Sequence, residues 1–189
     1  MAAQEVQAVA ESDRSSLRVE LITESFCMVG KVNLASAQGR LADILNFRDE
    51  HVVVLRDVEA KRLGAESDKV FNSPMIHIRR DAIILAIPHE NRAPLPEART
   101  PLEYVAKEPH RVSFLMSDFT VVGDLHLAKG VDINAASPMR GLGFVVVTDA
   151  EATYIPDPAL VWRADVLIVN AARCDACWPD LDLSPQQSS

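Results

Sequence analysis

Residues 18–35, RVELITESFCMVGKVNLA, recur without a gap as residues 111–128, RVSFLMSDFTVVGDLHLA. At this offset of 93 (111 minus 18) the stretches share Arg, Val, Phe, Val, Gly, Leu and Ala, 7 of 18 positions, and most others exchange like for like. The echo continues downstream. Residues 53–60 (VVLRDVEA) lie over 145–152 (VVVTDAEA) at an offset of 92; residues 75–78 (MIHI) lie over 166–169 (VLIV), and Ile87-Pro88 over Trp178-Pro179, at 91. Three blocks in one order, with the offset drifting by single residues, predict a tandem duplication, because fixed-period self-similarity belongs to a whole fold rather than to a local motif.

From Arg18 the pattern within each copy is that of strands. Val19 and Leu21, then Phe26 and Met28, then Val32 and Leu34 beyond Gly30, alternate with polar or small residues at period two. Glu24-Ser25 is the expected tight turn between the first two strands. Gly30 and its match Gly123 fall inside the second strand, where glycine marks a bulge or sharp bend of the kind that curls a small sheet into a barrel. Residues 39–47 set Leu41, Ile44 and Leu45 at helical spacing and predict a short helix, whereas residues 130–138 (GVDINAASP) in the second copy predict a loop. Val52–Leu55 and Phe144–Val147 are continuously apolar and predict strands covered on both faces, each ending at an aspartate, Asp57 or Asp149.

Residues 61–73 and 154–163 read as polar connections leading to a final strand pair, which in the first copy is Met75–Arg79 and Ala82–Ile87 around an Arg79-Arg80-Asp81 turn. The expected organisation is thus a first β unit at residues 18–88, a linker at 89–110 and a second unit at 111–179. Pro94, Pro96, Pro101 and Pro109 stiffen the linker, which has room for one helical turn around Leu102–Ala106. Residues 1–17 and 180–189 read as tails.

With 189 residues and 48% hydrophobic content the chain can bury two cores, each of about 80 to 90 residues, a size that folds without metal or disulfide staples. No apolar run is long enough to span a bilayer and the N-terminal residues lack a signal-peptide pattern, which predicts a cytoplasmic protein. Three cysteines in such a chain predict reduced thiols. Of the net charge of −8, residues 1–92 contribute −2 (12 Lys/Arg against 14 Asp/Glu) and residues 93–189 contribute −6 (7 against 13). That field opposes a phosphate backbone and argues against a general nucleic-acid binder.

The sharpest chemical motif is Cys174-Asp175-Ala176-Cys177, a spacing found in redox pairs and half zinc sites. The repeat places both cysteines over Ile83 and Ala86, in a final strand, and residues three apart on a strand face opposite ways. With no second CxxC or close histidine pair to complete four ligands, buried thiols are expected and no metal is assigned. His77, His89 and His126 have no partner base, acid or nucleophile at an informative spacing. Gly141-Leu142-Gly143 precedes a strand, where a dinucleotide fingerprint has to open a helix. No catalytic residue and no cofactor is therefore expected.

The order of elements, from a glycine-bent strand through an apolar strand ending in Asp-x-Glu to a strand-turn-strand reading Ile-Arg-x-x-x-Ile-x-x-Ile-Pro, resembles the Sm-like small β-barrels. Asp43-Ile44-Leu45-Asn46 is similar to that family's Asp-x-hydrophobic-Asn signature, and Ile78-Arg79-Arg80 to its Ile-Arg-Gly, with Arg80 in place of glycine. Asp132-Ile133-Asn134 and Val169-Asn170-Ala171 stand at the matching places of the second copy. The chain also resembles bacterial proteins of unknown function built from such repeats. The likeness implies a mainly β fold of two five-stranded, strongly bent barrels or half-barrels, with the helix in the first copy only. Two functions follow as expectations: a non-enzymatic scaffold acting through a protein partner or self-association, or an RNA binder using Asp43, Asn46, Arg79 and Arg80; an enzyme of unknown class comes third.

Overall fold

Alternating side chains produce paired strands wherever one face of the pleat can be buried, and among the described residues they do so ten times. A computed structural model describes residues 16–34, 39–47, 50–64, 69–89, 106–131 and 143–179. The strands are β1 (Ser16–Ile22), β2 (Phe26–Asn33), β3 (Val52–Arg62), β4 (Val70–Arg79), β5 (Leu85–Pro88), β6 (Lys107–Met116), β7 (Phe119–Ala128), β8 (Phe144–Tyr154), β9 (Val161–Asn170) and β10 (Ala176–Pro179). One helix, α1 (Leu41–Asn46), lies between β2 and β3 and buries Leu41 and Leu45.

All ten strands belong to one antiparallel sheet in the order β10-β6-β7-β8-β9-β5-β1-β2-β3-β4. Each half has its fifth strand beside its first, and the registers agree: Val19 pairs with Pro88 as Val112 pairs with Pro179. Likewise Val53 faces Ile78 as Val145 faces Val169. The two expected barrels or half-barrels are joined in this single sheet, which is not closed into a barrel. The reason is that β5, which in an isolated half would be an edge, pairs with β9 of the other half.

The glycine bend is present in both halves. Pairing of β2 with β3 shifts register between Val29 and Lys31, and pairing of β7 with β8 shifts between Val122 and Asp124. A Cβ on Gly30 would stand 2.7 Å from Leu55 Cγ and from the Arg56 carbonyl, and one on Gly123 would stand 2.4 Å from Val147 Cγ1. Opposite these glycines, Asp57 and Asp149 take left-handed backbone angles, φ 50° and 48°. Both aspartates thus sit in the middle of long strands and not at strand ends. The bulge absorbs the extra residue while the strand continues.

Several other expectations change in physical detail. Val52, Val54 and Val146 face outward and are exposed, so the two apolar runs are covered on one face only. β4 and β5 are not a hairpin. A 3-10 turn at Arg80–Ala82 separates them, after which β5 pairs with β1 and β9 while β4 pairs with β3. The linker is shorter than residues 89–110, because Lys107–His110 already pair with β7. Pro109 is tolerated there because β10 pairs with β6 only from Val112 onward, leaving the missing N–H on an open side. β1 begins at Ser16. The second-copy loop at 132–138, Asp132-Ile133-Asn134, Gly141-Leu142, most of the turn around Leu102 and the chain ends fall outside the described residues.

The halves share their interior. One buried cluster, built mainly on Phe114, Phe119 and Leu167, includes Ile22, Leu63 and Ile84 of the first half; the other, around Leu21, Leu45 and Leu55, includes Phe144 and Ile168 of the second. Among the described residues no helix is long and apolar enough to cross a membrane.

Candidate functional site

The four residues singled out for RNA lie near α1 and the end of β4. Asp43 Oδ2 accepts the Arg40 backbone N–H at 3.2 Å and holds the start of the helix. Asn46 works on the other half of the molecule: its Nδ2 donates to the Phe144 carbonyl at 2.9 Å and its Oδ1 accepts the Phe144 N–H at 2.8 Å, imitating a backbone pair. Arg80 Nη1 donates to the Phe47 carbonyl at 2.6 Å. Arg79 Nε donates to Asp81 Oδ1 at 3.0 Å, with a second bond from Nη2 to Oδ2. That bidentate pair lowers the Asp81 carboxyl below its ordinary range and raises Arg79. His51, Val52, Arg79, Arg80 and Asp81 line a shallow cleft of about 280 Å³. The structure therefore brings the two arginines together, and it commits Asn46 to the contact between halves.

The two cysteines of the sulfur motif lie in different elements. Cys174 closes a 3-10 turn at Ala171–Arg173 and is not in a strand; Cys177 is in β10 and half-buried. Burial pushes the Cys174 thiol up, and burial together with neighbouring Cys174 pushes Cys177 up to about 11. Both thiols therefore hold their protons more tightly than a free cysteine does. Among the described residues no group of three or more His, Cys, Asp or Glu side chains is arranged to hold a metal. The histidines are dispersed. His126 Nε2 meets Thr148 Oγ1 at 2.8 Å, His89 Nε2 lies 3.7 Å from Glu20 Oε2, and His77 is exposed on β4.

Sequence reasoning missed a polar cluster where the halves meet. Glu20 Oε1 accepts Trp162 Nε1–H at 2.7 Å and the Cys27 thiol at 2.8 Å. Burial, reinforced by the bond to that carboxylate, raises the Cys27 thiol far above its usual range and leaves it a hydrogen-bond donor. Glu20 and Trp162 are 142 residues apart, and nothing local in either stretch announces the pairing. Arg173 and Glu24 form an ion pair across the same joint.

At the joint, Leu85 lies opposite Val169 and Ala86 opposite Ile168, all four buried. Buried Asn170 fixes the register, donating its N–H to the Ile84 carbonyl at 3.0 Å and its Nδ2–H to the Ile83 carbonyl at 2.7 Å. The sheet ends differently. Among the described residues β4 pairs only with β3, and β10 only with β6. These two open edges carry exposed apolar side chains: Phe71 is 54% accessible, Val70 45% and Met75 43% on β4, and Trp178 45% on β10. Pro74 within β4 has no N–H to offer, so the stretch of that edge best able to accept a strand is Ile76–Arg79. No protein-family model, curated protein or solved structure matches this chain.

Proposed function

We propose that the chain is a non-enzymatic assembly module, a tandem duplicate of a small bent β unit that acts by protein-protein association through its strand edges. The observation that supports this most is the pair of open edges, β4 and β10, which carry exposed Val70, Phe71, Met75 and Trp178. Unpaired N–H and C=O groups beside apolar side chains form a template for another strand, and proteins with no use for such an edge blunt it with charge or cover it. The matching strand orders and registers of the two halves support the duplication, and duplication gives the module one edge of each kind.

A second reading retains an RNA ligand, favoured by the exposed Arg79 and the neighbouring Arg80 in one cleft with His51. Against it stand the acidic balance, the commitment of Asn46 to Phe144 and the pairing of Arg79 with Asp81. Light scattering on the purified chain, with a pull-down from native lysate analysed for protein and RNA, separates the two. Self-association or a protein partner, lost in Trp178→Lys, is the expected result. A monomer recovering no protein contradicts the assembly reading, and salt-sensitive RNA recovery abolished by Arg79→Ala/Arg80→Ala would establish the second one.

A further inference from the structure

We infer that the cleft over the first bulge binds a small zwitterion, with a carboxylate at one end and a cationic nitrogen at the other, several carbons apart. Binding there needs no strand-edge pairing.

Each half carries a cleft where its bulge bends the sheet. The first, of about 620 Å³, is lined by Arg18, Lys31, Asp57, Glu59 and Asn72 among others. The second, of about 460 Å³, is lined by Arg111, Asp149, Glu151 and Arg163 among others. The repeat offsets of 93, 92 and 91 lay Arg18 over Arg111, Lys31 over Asp124, Glu59 over Glu151 and Asn72 over Arg163. The ladders agree: Arg18 faces Lys31 as Arg111 faces Asp124, and Glu59 faces Asn72 as Glu151 faces Arg163.

The second cleft satisfies its own charges. Arg111 Nη1 donates to the Asp149 carbonyl at 2.9 Å and lies 3.3 Å from Asp124 Oδ1, and Arg163 Nε donates to Glu151 Oε2 at 2.8 Å. In the first cleft each of these two ion pairs has lost one member, and in opposite senses. Lysine stands where the second half has Asp124, its ammonium 3.6 Å from the Asp57 carboxylate, and asparagine stands where the second half has Arg163. Among the described residues the Arg18 guanidinium and the Glu59 carboxylate have no hydrogen-bond or ion-pair partner. A ligand that restores both pairs brings a carboxylate to Arg18 and a cation to Glu59, each held by charge-assisted hydrogen bonds. The charges of Arg18, Lys31, Asp57 and Glu59 sum to zero, so the local field selects neither a simple anion nor a simple cation. Arg18 is on β1 and Glu59 on β3, two strand spacings of about 4.8 Å apart. That span suits charges several carbons apart better than the adjacent charges of an α-amino acid.

The test titrates the full chain with ε-aminocaproate at constant ionic strength, followed by heteronuclear NMR. Saturable shifts are expected at the Arg18 side-chain N–H and the Glu59 and Asn72 amides, with none at Arg111. Caproate and hexylamine carry one group each and should bind about fivefold more weakly, as should the probe to Arg18→Gln or Glu59→Gln. Lys31→Asp/Asn72→Arg rebuilds the ion pairs of the second half and should abolish the shifts, with the rest of the spectrum unchanged to show that the chain is folded. Undiminished binding in that folded variant overturns the site, as does equal affinity for caproate or the absence of any saturable shift in the unmodified chain.

Discussion

At the scale of single residues, the tightest constraints are the two glycines and the thiols. Gly30 and Gly123 leave no room for a methyl group, because the atoms a Cβ would meet include the Arg56 and Thr148 carbonyls, which cannot rotate aside. Gly30→Ala and Gly123→Ala should each cost about 1–3 kcal/mol by overpacking, read as a lower denaturant midpoint; an unchanged midpoint in both would mean that the bulge relaxes freely. The Cys177 thiol, pushed up to about 11 from an ordinary 9.0, holds its proton more tightly folded than unfolded. Its contribution to stability is therefore complete below about pH 9 and is lost as pH climbs through 11. Denaturant midpoints should fall across that window, and fall less in Cys177→Ser; equal slopes would remove Cys177 from the account. Gly30 and Gly123 were legible as bends because a glycine between alternating apolar residues has few other uses. Asp57 and Asp149 were misread as strand ends because an acid after an apolar run gives no local sign of the left-handed angle that lets the strand continue.

At the scale of elements, alternation located the strands and helical spacing located α1, since both patterns are short-range consequences of which face is buried. Pairing partners were less legible. β4 and β5 look like a hairpin because only residues 80–84 separate them, yet β5 leaves for β1 and β9. The attachment of α1 to β8 was invisible, since it depends on Asn46 finding a backbone 98 residues away. Removing that amide leaves the Phe144 N–H and carbonyl without their partner. Asn46→Ala should therefore cost about 0.5–1.5 kcal/mol, the net worth of a part-buried hydrogen bond. Hydrogen exchange should show faster exchange at Phe144 and the start of β8; protection equal to that of the unmodified chain would mean that α1 is held by Leu41 and Leu45 alone.

At the scale of the whole molecule, the β5–β9 joint forms within one chain and so without dependence on concentration. The half-buried Glu20–Trp162 bond is part of that joint. Glu20→Ala strands the Trp162 N–H and should lower stability by about 1–3 kcal/mol while leaving the β4 and β10 edges intact; assembly lost in the folded variant would show that the joint and the edges are coupled. The two tryptophans of the chain divide the same way. Trp162 is packed against Phe119 with its indole N–H bonded to Glu20, whereas Trp178 lies in the open on β10. Indole emission shifts to the blue when water is removed from the ring, so the protein carries an internal optical reference and an optical sensor. Dilution of an assembled sample should move the Trp178 emission to the red while Trp162 holds steady, reporting the edge without any label.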